Sequence, residues 1–304
     1  MYSSPLRIAT RNSPLALWQA EHIRQQLLTH WPQLNIVLCP MTTSGDQFLK
    51  DQLRVIGGKG LFVKELEESL LRHETDLAVH SMKDVPSVFP SGLILATICA
   101  RDNPYDAFIS HQYQHFHALP HGATLGTSSL RRQSQLLARR PDLRIKNLRG
   151  NIHTRLKSMD TQGLDGIILA CAGLERMGLN EHIKEMFSAH DMLPACGQGA
   201  LGIECRQDDW TLQALLKPLH DEGSALCVHT ERRVSALLGG NCHVPLAVHC
   251  TLTDNTHIQL HARVISPDGQ QVFTYANDGP STTAPDLAQH CANELLAQGA
   301  GVYL

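Results

Sequence analysis

Two short segments hold residue types that could make and break bonds. Ser81-Met82-Lys83-Asp84-Val85-Pro86 follows an apolar stretch and sets an amine beside a carboxylate. Lys83 and Asp84 there form either a surface ion pair, worth little, or a site in which Asp84 faces a cleft. In a cleft an ionised acid steadies a developing cation and relays a proton. The second segment, Gly239-Gly240-Asn241-Cys242-His243-Val244-Pro245, places a cysteine in a Gly-rich loop. Neighbouring positive charge favours the thiolate, the nucleophilic form. A lone loop cysteine is nevertheless more often inert, and Cys242 beside His243 in sequence does not make a dyad.

The arginines are unevenly spread. Residues 131–155 carry Arg131, Arg132, Arg139, Arg140, Arg144, Arg149, Arg155 and Lys146 against Asp142 alone, a local balance of +7 in a chain whose formal charge is −3. Guanidinium groups recognise carboxylates and phosphates bidentately, whereas a run of charge is often only a solvated helix face. Arg131, Arg132, Arg149 and Arg155 lie near expected strand-to-helix junctions, where open α/β sheets bind ligands. Arg11 with Ser13 occupies the matching junction after the first strand. Turns at Gly126-Thr127-Ser128-Ser129 and Arg149-Gly150-Asn151 add backbone N–H groups to an anion site. Arg139, Arg140 and Arg144 fall at the far end of their helix and read as surface. Gly57-Gly58-Lys59-Gly60 lacks the full phosphate-loop spacing, because Gly60-Leu61 follows Lys59, and reads as a lid or a plain loop.

The elements that must position these groups follow from pattern. Leu6 to Thr10 reads as a strand; Ser13 is a good N-cap with Pro14 at the first helical position, and Leu15, Trp18, Ile23 and Leu27 mark a helix to about His30. Strands at 35–39 and 76–80 flank a helix at 61–72. This βαβ rhythm implies a mainly parallel sheet with helices on both faces. A second α/β run starts near 105, with strands at 124–127, 143–148 and 166–170 and helices at 129–140 and 151–160. After a turn-rich segment at 194–199, a strand at 200–204 returns toward the first domain. From about Glu222 a helix, alternating strands to Tyr275 and a last helix at 284–298 form an α+β unit. The expected domains are 1–99 with 200–217, then 105–193, then 222–304.

Composition excludes several classes. Among 304 residues, 42% are hydrophobic, 18% charged and 5% aromatic, which fits neither a disordered tail nor a coiled coil. With 26 Lys+Arg against 29 Asp+Glu the chain is not a basic nucleic-acid binder. No apolar run is long enough to span a membrane, and the first residues lack a signal-peptide pattern; the expectation is a cytoplasmic protein. The nine cysteines form no Cys-x-x-Cys pair, so zinc-ribbon and thioredoxin readings fail. His111, His115, His117 and His121 have no acidic or Cys ligand nearby in sequence and read as an exposed loop, so no metal is expected.

In order along the chain, Arg7-Ile8-Ala9-Thr10-Arg11-Asn12-Ser13-Pro14-Leu15-Ala16, Gly57 to Phe62, His80 to Pro86, Gly126-Thr127-Ser128-Ser129-Leu130-Arg131-Arg132, Leu148-Arg149-Gly150-Asn151, Gln198-Gly199-Ala200 and the Cys242 loop resemble the porphobilinogen deaminases, or hydroxymethylbilane synthases. The resemblance spans nearly the whole length. It implies an α/β fold of two periplasmic-binding-protein-like (type II) domains flanking a cleft, plus a smaller α+β C-terminal domain carrying the cysteine. It implies a transferase of tetrapyrrole and haem biosynthesis, with a dipyrromethane cofactor bound covalently by a thioether to Cys242. Four porphobilinogens are then added head to tail, each with loss of ammonia, before hydrolysis frees hydroxymethylbilane. Porphobilinogen brings an acetate and a propionate, which gives Arg11, Arg131, Arg132, Arg149 and Arg155 a use, with Arg176 carried over from the family. By the same resemblance Asp84 is catalytic, stabilising the azafulvene-like cation. Ser13, Ser81, Lys83, Thr127, Ser129, Gly150, Gln198 and Gly199 hold cofactor or substrate, and Lys59 and Phe62 belong to the lid and the helix behind it. No nucleic-acid or membrane partner is implied, and the family resemblance favours a monomer. Two positions depart from the family: Asn241 stands where a glycine usually precedes the cysteine, and Val55 where a basic lid residue is common. The competing readings are a non-catalytic carboxylate-binding module and a nucleic-acid-binding regulator.

Overall fold

The computed structural model describes residues 5–47, 62–240, 244–254 and 256–304. Contacts divide the chain into two compact units, Met1–Arg101 with Ala200–Ala225, and Asp102–Gly199 with Leu226–Leu304.

The first unit is built on a five-stranded sheet. In chain order its elements are β1 (Leu6–Arg11), α1 (Pro14–His30), β2 (Ile36–Met41), the single turn α2 (Ser44–Gln47), α3 (Lys64–Leu71), β3 (Leu77–Ser81) and β4 (Leu93–Ile98); β10 (Leu201–Arg206) and α7 (Trp210–Leu216) come later. The strand order is β2-β1-β3-β10-β4. β1 runs parallel to β2 and β3, while β10 runs antiparallel to both β3 and β4. The expected parallel sheet therefore has one reversed strand, because β10 enters from the opposite end. Alternation along the strands sends Ile8, Leu77, Val79 and Ile203 to the face covered by α1 and α7. Ala9 and Ala78 point the other way, against Leu66 and Leu70 of α3. Ser13 caps α1 as expected: its hydroxyl accepts from the Ala16 N–H at 3.4 Å, with Pro14 next.

The second unit repeats the arrangement. β5 (Asp106–Ile109), β6 (Thr124–Gly126), α4 (Leu130–Arg139), β7 (Arg144–Lys146), α5 (Ile152–Gln162), β8 (Gly166–Ala170), α6 (Cys171–Arg176) and β9 (Glu185–Met186) give the order β7-β6-β8-β5-β9. β6 is parallel to β7 and β8, and β5 is the reversed strand. The two sheets thus share one plan, with a single reversed strand fourth in the order. Ser129 caps α4 and Asn151 caps α5, accepting from the N–H groups of Arg132 and Thr154; each cap is worth about 1 kcal/mol. α8 (Glu222–Leu237) leads to a three-stranded antiparallel sheet of β11 (Leu246–Leu252), β12 (His257–Ile265) and β13 (Val272–Pro280), packed on α9 (Ala284–Ala297). Its core joins Val234, Val248, Leu260, Val264, Ala288 and Leu295. This is the smaller α+β part, with β13 running five residues past the expected end at Tyr275.

Candidate active site

In an open α/β sheet ligands gather at the carboxyl ends of the parallel strands. In the first unit that edge holds the ends of β1, β2 and β3. β1 ends at Arg11, whose guanidinium lies 4.3 Å over the Phe62 ring. β3 ends at Ser81, whose hydroxyl meets the side chain of buried Gln19 on α1 at 2.9 Å. The chain then makes a 3₁₀ turn, Met82–Asp84, which leaves Lys83 half-buried and Asp84 exposed. The turn is keyed to the reversed strand: the Met82 N–H donates to the Ala200 carbonyl at 3.0 Å, and the Val85 N–H closes on Met82 at 3.3 Å. Glu65, from the first turn of α3, accepts from the Ser44 N–H at 2.8 Å and from its hydroxyl. Arg11, Ser13, Phe62, Ser81, Lys83 and Asp84 thus share one sheet edge.

The second unit concentrates charge at its own carboxyl edge. Thr127 and Ser129 follow β6; Arg149 and Gly150 follow β7; Arg176 ends the helix that follows β8. Arg131 and Arg132 lie on the buried face of α4, 4% and 6% exposed. Asp106, the first residue of the reversed strand β5 and fully buried, meets them there. Arg131 Nη2 and Arg132 Nη2 each reach it at 2.7 Å, and Arg132 Nε at 3.0 Å. The Gln198 side-chain amide adds a bond to Asp106 at 3.0 Å. Arg131 Nη1 and Arg132 Nη1 donate to the backbone carbonyls of Leu193 and Ile168. Burial pushes the Asp106 carboxyl up, but the Arg131 and Arg132 charges more than reverse this and hold it well below the usual carboxylate range. Burial likewise pulls the Arg131 guanidinium down.

Two arginines against one aspartate leave a net +1 under the N-terminus of α4. Arg131 Nε is buried and has no hydrogen-bond partner. A buried cationic centre with a donor to spare, next to a helix N-terminus, suits an anionic ligand.

Arg149 is exposed and Arg155 half-buried, its Nε bonded to the Gly150 carbonyl at 2.8 Å. Gly150 adopts φ +99°, and a Cβ there would press on Thr154. Arg176 is buried, binding Asp102 through Nε at 2.9 Å and the Gly199 carbonyl through Nη2 at 2.7 Å. Gly199 has φ +92°, and a Cβ would stand 2.5 Å from the Asp102 carbonyl. Buried Glu231 of α8 accepts from the N–H groups of Gly197 and Cys250, at 2.7 and 2.8 Å, which ties the Gln198 segment to the C-terminal sheet. Lys59, the rest of the expected lid, and Cys242 with Asn241 and His243 lie outside the described residues.

The comparisons with known proteins agree along the chain. A family model, "Porphobilinogen deaminase, dipyromethane cofactor binding domain", matches residues 6–214, and the family's C-terminal domain matches 225–297. A porphobilinogen deaminase of Legionella pneumophila is 57% identical over 300 residues, 99% of this chain and 97% of its own. The chain belongs to the porphobilinogen deaminase family. A porphobilinogen deaminase of Chromobacterium violaceum is 50% identical over 293 residues, 96% of this chain and 94% of its own. Among solved structures, a nutrient binding protein from Burkholderia cenocepacia bound to methionine is 12% identical and covers 76% of this chain and 94% of its own, at a TM-score of 0.43.

Local sequence patterns point to the arginines but not to Asp106, which starts a strand 25 residues before Arg131 and reaches them only because β5 is reversed. Local sequence also leaves out Glu185. It lies on β9 near His115 and His117, all three donor atoms within 4.8 Å of one another. The two imidazoles stack at 5.2 Å with their planes 13° apart, and Glu185 Oε2 already accepts from the Phe116 N–H at 2.6 Å. The stack and that bond account for their closeness. No helix among the described residues is long and apolar enough to cross a membrane.

Proposed function

We propose that this chain joins four porphobilinogen molecules head to tail on a dipyrromethane primer held through a thioether to Cys242, and frees hydroxymethylbilane by hydrolysis. The observation that carries this reading is the match of residues 6–214 to the family's cofactor-binding domain. When bound, the dipyrromethane supplies the free pyrrole α-carbon to which the first porphobilinogen is joined. The spare Nε of Arg131, Thr127 and the capped N-terminus of α4 at Ser129 would hold its carboxylates. Exposed Arg149, with Gly150 and Arg155, would take carboxylates of the growing product. Arg11, Ser13, Ser81 and Lys83 would hold acetate and propionate groups at the first unit's sheet edge. Arg132, Gln198, Arg176 and Gly199 would serve as the frame that fixes those groups.

Asp84 would act at the reacting centre. The substrate's aminomethyl group, protonated as an ammonium, breaks its C–N bond and leaves as ammonia with the electron pair, which puts positive charge on the pyrrole methylene. The Asp84 carboxylate steadies that charge and accepts hydrogen bonds from pyrrole N–H groups. Once the new C–C bond forms, Asp84 takes the α-proton and gives it to the released ammonia, which goes to solvent as ammonium. We place the enzyme in the cytoplasm as a monomer. The scattered cysteines, with no Cys-x-x-Cys pair, suit a reducing compartment, and the monomeric state follows the family resemblance.

Intact mass tests the reading directly. The wild-type protein from a cell making porphobilinogen is expected to be heavier than its sequence by a two-pyrrole adduct, and Cys242→Ser to lack it. Active wild-type enzyme of unmodified mass would overturn the tether. The arginine assignment has a separate check. Arg149→Leu should lower turnover or adduct formation by about 10-fold or more, the worth of a lost charge-assisted hydrogen bond. Arg139→Leu, which breaks a 2.9 Å pair with Asp191, should change neither. Equal losses would mean that Arg149 does not read carboxylates.

A further inference from the structure

Beneath the Ser81–Asp84 turn lies a cluster that the proposed chemistry does not use. Alternation along β3 sends His80 to the face opposite Ser81, under α3. On β10, Glu204 pairs with Ala78 and Gly202 with His80, so Glu204 is the diagonal neighbour of His80 on that face. His80 Nε2 and Glu204 Oε2 are 2.8 Å apart, and both side chains are at least 95% buried. The other Glu204 oxygen, Oε1, is buried with no hydrogen-bond partner, and so is Oε1 of Glu67 on α3. An orphaned carboxylate oxygen inside a protein carries the full desolvation penalty. Two of them in one cluster need one shared device.

We infer that Glu67 and Glu204 share one proton against His80, and that the cluster holds the Ser81–Asp84 turn in place, so that His80 and Glu204 are positioning residues for Asp84. A proton on Glu67 directed at Glu204 Oε1 satisfies both orphaned oxygens and leaves one negative charge to hold the imidazole. Burial, then the Glu204 charge, push the Glu67 carboxyl up to about 7, with His80 opposing. The groups facing Glu67 are Glu204 from β10 and His80 from β3. On α3 itself, Lys64 pairs with Glu68 and Glu65 bonds to Ser44. The same strand keys the turn a second time: Gly202 leaves room for Met82, whose Sδ would stand 2.2 Å from any Cβ there. β10 is thus the template against which the turn is set, through His80–Glu204 on one side of Ser81 and Met82–Gly202 on the other.

The inference rests on the role proposed for Asp84, and its test separates the two. Glu67→Gln keeps a neutral donor toward Glu204 and removes the titration. The ratio of its turnover number to that of wild type should climb several-fold from pH 6 to 8.5, as the wild type alone loses the shared proton. Glu204→Gln should lower the turnover number by at least about tenfold, the cost of a slightly misplaced reacting group, with KM nearly unchanged. NMR of ¹³C-labelled glutamate carboxyls should show one signal titrating near neutral pH in the wild type that is absent from Glu67→Gln. A pH-independent turnover ratio, or the same glutamate carboxyl titrations in both proteins, would overturn the inference. Wild-type protein that consumes no porphobilinogen would instead overturn the proposed function, and the Glu67 carboxyl signal would still decide the cluster.

Discussion

Asp84→Asn is expected to lower porphobilinogen turnover by about 10²-fold or more, while leaving the protein as stable as wild type. Asparagine matches the shape of aspartate and still accepts hydrogen bonds, so the substitution removes little besides charge and basicity. Those are the two properties the chemistry needs. A cation is left when ammonia departs, and a proton must leave the attacking α-carbon. An amide oxygen neither balances a full positive charge nor accepts a proton near neutral pH. Stability should stay within about 0.5 kcal/mol, as for other exposed substitutions. Asp84 is exposed, and the turn is held by the backbone bonds of Met82 and Val85 rather than by its side chain. The measurement is the steady-state rate of porphobilinogen consumption beside a thermal melt. A near-normal rate would remove Asp84 from the mechanism. A low rate with a collapsed melting temperature would make it structural.

Much of the fold was legible because its signals are local. The Ser13-Pro14 start of α1, the Ser129 and Asn151 caps and the apolar strand at 166–170 each lie within a few residues of the element they define. The strand-end motifs, Arg11, Ser81 to Asp84, Thr127 and Arg149, were legible for the same reason. What local pattern could not show is long-range polar pairing. α4 buries Arg131, Arg132, Ser134 and Gln135 beside Leu136, so its inward face is polar and hydrophobic periodicity reads it as surface. Its partner, Asp106, opens the short strand β5, and an acid at that position reads as a loop. His80 and Glu204 are 124 residues apart in sequence and meet only across the β3–β10 ladder. Both omissions come from the reversed strand of each sheet, which delivers a carboxylate that no parallel βαβ pattern contains.

The second large effect concerns that delivery. Asp106→Asn is expected to destabilise the protein by about 3–5 kcal/mol, the usual cost of removing one partner from a buried ion pair. Asp106 is fully buried and accepts four hydrogen bonds, three from Arg131 and Arg132 and one from Gln198. An asparagine offers one oxygen where two were used, and points its NH₂ at groups that can only donate. It also raises the buried charge of the three-residue group from +1 to +2, with no water to screen it. Against a total stability of about 5–15 kcal/mol, that loss should lower the urea midpoint markedly at pH 7. The pH dependence has a definite sign. The Asp106 carboxyl lies lower in the folded chain than its unfolded value of about 3.9. Its contribution is therefore full above that value and is lost as the pH falls below it toward the folded pKa. The stability gap between wild type and Asp106→Asn should be constant from pH 5 to 7 and begin to narrow only below about pH 4. Adding Arg131→Gln to Asp106→Asn should recover part of the loss, since it restores the charge balance of the group. An Asp106→Asn protein with the wild-type urea midpoint would show that the two guanidiniums are paid for by some other anion.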